Sequence, residues 1–194
     1  MNKFLYQHSL LARLVTLISL LLAVVWFARS PDWEPAIASI GLFALLAFEE
    51  FFERKAKFGE ADTKLFQEFL TTLPSSGSVE FLRDHDMAVS FEWSSLSDVN
   101  NFYRKWNDAE HEFHDPKIEA KRKELYVKIS TFLNFVSLNT FPNQQYDRQS
   151  VPKEWQRDQS ERYTNTVRQL NALADEVVQK HQELVRMGRI RLRL

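Results

Sequence analysis

The sequence predicts a mainly all-α protein: an N-terminal two-helix transmembrane hairpin followed by a cytoplasmic helical bundle, with room for one small β pair. Three observations carry this prediction. Apolar residues are concentrated before position 53, where Leu14–Ala28 and Pro35–Phe48 contain no charge. Beyond that point, four segments repeat apolar residues at helical spacing. The mean hydropathy of −0.36 over 194 residues therefore averages two regions that need different solvents. The expected organisation is a hairpin over 1–53, with helices over about 10–28 and 35–52, and a cytoplasmic helical domain over 54–194.

A bilayer core about 30 Å thick needs roughly 20 mostly apolar helical residues, and Leu10–Ala28 supplies them. Arg13, one turn from the start, can cover apolar surface with its stem while its guanidinium reaches the headgroups. A cleaved signal peptide is disfavoured, because Trp26 stands where cleavage after Ala28 needs a small residue, and a second apolar run follows. Pro35–Phe48 spans only about 21 Å, so its helix must continue through the interface. Phe48, Phe51 and Phe52 share one face and Glu49, Glu50 and Glu53 the opposite one, as an amphipathic stem requires. Trp33 and Pro35 suit its start. Lys3, Arg13, Arg54, Lys55 and Lys57 flank one side, against Arg29 in the turn. Positive-inside counting then puts both termini in the cytoplasm of a bacterial inner membrane, with the bilayer as first partner. Strips of small residues, Thr16, Ser19 and Ala23 with Ala38 and Gly41, serve either packing within the hairpin or a homo-oligomer whose acidic stem lines a vestibule.

From Lys55 onward acids and bases number 21 each, so bulk nucleic-acid binding is not expected and any anion must be held locally. Asp62 or Thr63 can cap a helix with the stripe Phe66, Phe69, Leu70 and Leu73, ending before Pro74. Ser95 and Asp98 are spaced as a capping box for a second helix carrying Leu96, Val99, Tyr103 and Trp106. Asp115-Pro116 is an N-cap and first-turn pair for a third helix, with Ile118, Leu125, Ile129, Phe132, Leu133 and Val136 on one side. Ser160 opens a fourth, whose stripe runs from Tyr163 through Leu170, Ala174, Val177 and His181 to Val185. Four one-sided helices must cover one another, as antiparallel neighbours in a bundle do. Met87–Trp93 and Ile190–Leu194 alternate with period two and could pair as strands. The polar stretch 139–159 has no periodicity and is expected to be a functional loop or disorder.

Chemistry is sparse. The absence of cysteine removes disulfides, thiolate zinc sites and cysteine nucleophiles, and no GxGxxG, Walker lysine motif or serine elbow is present. No cofactor, metal or catalytic residue is assigned. Arg83-Asp84-His85-Asp86 and Glu110–Asp115 are dense in ionisable groups, but neither has the spacing of a metal motif. His181, within an apolar stripe, is expected to be a core histidine hydrogen-bonded to a neighbour. Arg122 interrupts its stripe and needs an anion, either an internal carboxylate or a ligand phosphate.

The expected function is that of a non-enzymatic membrane-anchored sensor or effector. Its helical domain would bind a ligand or protein and pass the change through the stem, with Gly59 as hinge, into the hairpin. This layout resembles that of small two-helix membrane effectors of bacterial anti-phage signalling, some gated by cyclic oligonucleotides. For a small anionic or nucleotide ligand the candidates are Arg83, His85, Arg122, Arg148, Arg189 and Arg191, with Tyr146 and Trp155 for base stacking. The alternatives are a passive membrane adaptor and a metal-dependent hydrolase built on His85 and Asp86.

Overall fold

The computed structural model describes residues 58–143 and 148–194, together with 17–22, 24–26, 28, 29, 37, 40, 41 and 44. The chain divides into two compact units, Met1–Lys57 and Phe58–Leu194. In the first unit every described residue is helical, and Leu17, Ile18, Leu21, Leu22, Val24, Val25, Trp26, Ile37 and Ile40 are all exposed. Among the described residues no helix is long and apolar enough to cross a membrane. Arg13, Glu49, Glu50, Glu53 and the turn between the two expected helices lie outside the described residues.

The second unit is mainly helical, with a small three-stranded sheet. Helix α1 is described over 58–72, and α2 covers Ser78–Asp84. A two-residue strand β1 (Phe91–Glu92) and a 3-10 turn lead into α3 (Ser97–Lys105). Helix α4 spans Pro116–Asn139. Strands β2 (Phe141–Pro142) and β3 (Arg148–Ser150) follow, then a short α5 (Lys153–Asp158) and the 33-residue α6 (Ser160–Leu192).

Each long helix forms where its sequence leaves no alternative. Pro116 sits at the first turn of α4, and the Asp115 carboxylate accepts from the Lys117 and Ile118 N–H groups at 2.9 and 3.3 Å, satisfying donors that the helix cannot. The predicted stripe of α4 is buried throughout, and it packs with Leu170, Ala174, Val177 and Leu184 of α6, Phe66 and Phe69 of α1 and Leu73 just after it in one core. Helices α4 and α6 run antiparallel: Asp115 pairs with Arg191, Lys121 with Glu183, Glu124 with Lys180, and Lys128 with Glu176. Gly188, inside α6, stands where a Cβ would overlap the Phe66 ring, so this glycine sets how closely α1 and α6 approach.

Four local expectations are corrected. Asp62 does not cap a helix start, because α1 is already helical at Phe58. Its buried carboxylate instead accepts from the His114 and Asp115 N–H groups, both at 2.8 Å, anchoring the entry to α4. The Ser95–Asp98 capping box is replaced by a reciprocal pair between helices: the Asp98 carboxylate accepts from Ser78 N–H and the Ser78 hydroxyl from Asp98 N–H, both at 3.0 Å. This brings Asp98 against Gly77, whose φ of 75° and lack of a Cβ the contact requires. The alternating tail is helix to Leu192, with Leu192 packed on the core, and β1 pairs with β3 instead, setting Glu92 opposite Arg148. The stretch 139–159 is not a plain loop, since β2 also pairs with β3 and α5 follows.

Candidate ligand-binding site

The candidate residues fall into separate places. Arg122 is buried, and its guanidinium is fully engaged: Nε and one terminal nitrogen donate to the Glu119 carboxylate at 2.9 and 2.6 Å, the other to the Trp106 carbonyl. Its anion is internal, and each of its three nitrogens already holds a hydrogen bond. Arg148 donates to the Ser90 carbonyl at 2.7 Å and stitches β3 to the segment before β1. His85 stacks on Phe81 with ring centres 4.5 Å apart, and its Nε2 lies 3.1 Å from the Val89 carbonyl oxygen. Beside it, Asp86 accepts from Ala88 N–H and the Asn171 amide, and these hydrogen bonds hold its carboxyl below the ordinary range. Trp155 is covered by the Arg162 guanidinium, 3.5 Å from its ring centre. Arg191 is paired with Asp115. Tyr146 lies outside the described residues. Among the described residues no group of three histidines or carboxylates could hold a metal ion.

Arg189 is different, because it lines a cavity, and Arg83 is hydrogen-bonded to the Ser75 carbonyl at the edge of that cavity. It measures about 320 Å3 and is lined by Ser75 from the α1–α2 turn and by His181, Gln182, Val185, Arg186, Arg189 and Ile190 from the last third of α6. Sequence spacing explains the α6 side, since positions 181, 182, 185, 186 and 189 share one helical face. The Ser75 side is set by Pro74, which ends α1, and by Arg83, which donates to the Ser75 carbonyl at 3.3 Å. No carboxylate lines the cavity.

His181 connects this cavity to the core. It is fully buried, tilted against Phe69 at 5.5 Å between ring centres, and its Nε2 donates to the Leu73 carbonyl at 2.9 Å. Burial holds the imidazole below its ordinary pKa and the Arg83 charge acts the same way, against the opposing pull of the Leu73 carbonyl. The ring is therefore neutral near pH 7, with Nε2 carrying the proton and Nδ1 a lone pair. That Nδ1 is buried and has no hydrogen-bond partner. The expectation of a core histidine bonded to a neighbour accounts for one ring nitrogen and leaves the other unsatisfied.

Ser75, Gln182 and Arg186 were missed by the sequence reasoning. One signal for this face was legible: Arg189 has no acid three or four positions away on either side. Arg186 has Glu183 at that spacing, but Glu183 is taken by Lys121 and Lys180 at 2.9 and 3.0 Å. A mainly helical unit with a small antiparallel sheet and an arginine-lined cavity at one end of its longest helix is the class of protein that these observations define. No protein-family model, curated protein or solved structure matches the chain.

Proposed function

We propose that the chain is a non-enzymatic membrane-anchored sensor or effector, whose helical unit binds a ligand and whose N-terminal helical segment sits in the bilayer of a bacterial inner membrane. One observation carries the reading. Leu17, Ile18, Leu21, Leu22, Val24, Val25 and Trp26 are helical and exposed, and at 100° per residue they spread over roughly 200° of the helix circumference. An apolar surface that wide is not an amphipathic stripe awaiting one partner face; hydrocarbon satisfies it on all sides. The cavity between the α1–α2 turn and α6 supports the ligand-binding half of the proposal, and α1 is the element that follows the first unit directly in the chain.

Washing membranes from producing cells at high pH tests the anchor. The full chain is expected to stay with the lipid pellet, while a chain lacking residues 1–57 partitions to the supernatant. Release of the full chain by the wash would overturn the reading.

A further inference from the structure

We infer that the cavity formed by Ser75, His181, Gln182, Arg186 and Arg189 is a binding site for a hydroxyl-bearing phosphate ester. The inference deepens the sensor reading above and rests on it for its place in the protein, but its chemistry stands on the cavity alone.

The charge selects an anion. Arg186 and Arg189 lie three residues apart on one face of α6, and among the described residues neither guanidinium has an ion pair or hydrogen bond. Arg83 adds a third positive charge at the Ser75 carbonyl, and no acid lines the wall to neutralise the set. Planar guanidinium forks match the oxygen spacing of phosphate, which gives paired charge-assisted hydrogen bonds. The Ser75 hydroxyl and the Gln182 amide are likewise unengaged and supply neutral donors to the same wall.

The histidine selects the rest of the ligand. With Nε2 committed to Leu73, the neutral ring offers only the Nδ1 lone pair, and a buried acceptor without a donor costs free energy until one arrives. Inorganic phosphate carries a P–OH of its own but would leave most of this volume empty, whereas the dianion of a phosphate ester has no proton to give and needs a neighbouring hydroxyl. A phosphate ester with a neighbouring hydroxyl places its anionic end on the arginines and its O–H against the His181 side of the wall, where a small opening around the buried ring would bring Nδ1 within reach. A volume of about 320 Å3 suits a small polyol phosphate and is tight for a dinucleotide. The same chemistry is found in a free polyol phosphate and in the headgroup of a glycerol-bearing phospholipid, which separate in the test.

The experiment titrates the full chain, purified in an uncharged detergent, by calorimetry with glycerol 3-phosphate, glycerol, short-chain phosphatidylglycerol and short-chain phosphatidylcholine. The variants are Arg186→Gln with Arg189→Gln, both exposed positions, and Arg157→Gln as a control on α5; thermal unfolding verifies that each folds. The expected result is saturable binding of glycerol 3-phosphate, none of glycerol, a loss of about tenfold or more in the double variant and no change in the control. Binding of phosphatidylglycerol alone, with the same loss in the double variant and no binding of phosphatidylcholine, assigns the lipid headgroup as the source. Silence with both phosphate esters, or affinity unchanged in the double variant, overturns the site. A chain that binds yet washes off membranes overturns the anchor and leaves the site standing; a chain held in membranes that never titrates does the reverse.

Discussion

Gly188 shows most directly how one residue sets the geometry of the helical unit. A glycine within a helix costs about 1 kcal/mol against alanine in an exposed position, yet here the Phe66 ring occupies the space of a side chain. Phe66 is fully buried and packed on Phe69, so it cannot swing aside without disturbing the core. Gly188→Ala is therefore expected to destabilise the protein by about 1–3 kcal/mol, read from denaturant unfolding followed by helical ellipticity. Adding Phe66→Leu should recover part of that loss, and simple addition of the two losses would contradict the contact. His181 makes a second prediction, in pH. Its folded-state pKa lies below the ordinary value of about 6.5, so the unfolded chain binds more protons and the stabilisation is complete only above that pH. Stability should fall as the pH drops from about 6.5 to 5, before the carboxylates that ion pairs and hydrogen bonds hold low begin to protonate. His181→Gln should flatten that segment of the curve, and an unchanged slope would show that another group titrates there.

At the scale of elements, the α4–α6 pair was the most legible part of the chain and its surroundings the least. Both helices carry long stripes, and Asp115-Pro116 marks a start that no other local structure uses as well, so periodicity alone locates them. Of the sheet only β1 was legible, inside the alternating segment Met87–Trp93; its partner β3 was not, because a three-residue strand joined by pairing across more than fifty positions leaves no local pattern. The cavity escaped for the same reason: the Leu73 carbonyl that orients His181 lies 108 residues away in the chain. What binds α4 to α6 outside the core is a closed ring of alternating charge, in which Lys121 and Lys180 each touch both Glu124 and Glu183 at 2.9–3.0 Å. Hydrogen bonds from Lys121 and Lys180 lower the Glu183 carboxyl to about 2. Its contribution is thus present above the unfolded value of about 4.5 and is lost as pH falls towards the folded one. Glu183→Gln should lower the thermal midpoint at pH 7 and low salt, by a margin that shrinks with added salt and closes in strong acid. A margin insensitive to both would mean that the ring contributes by packing and not by charge.

At the scale of the whole molecule, charge balance and charge placement separate. The helical unit carries slightly more acids than bases, yet its carboxylates are drawn into the α4–α6 ring, the Arg122 pair, the entry to α4 and the Arg191 pair, which leaves Arg186 and Arg189 near the end of α6 without counter-charges. A near-neutral chain can therefore hold an anion at one chosen spot. The ring also limits how such a signal could travel. If α6 slid one turn, about 5.4 Å, past α4 in one direction, Glu124 would face Glu176; in the other, Lys128 would face Lys180. Either displacement sets like charges against each other, so the pair admits a single alignment and α6 cannot act as a piston. A ligand at its end can be felt only through what is free to tilt or turn there: the α1–α2 turn, and α1 behind it.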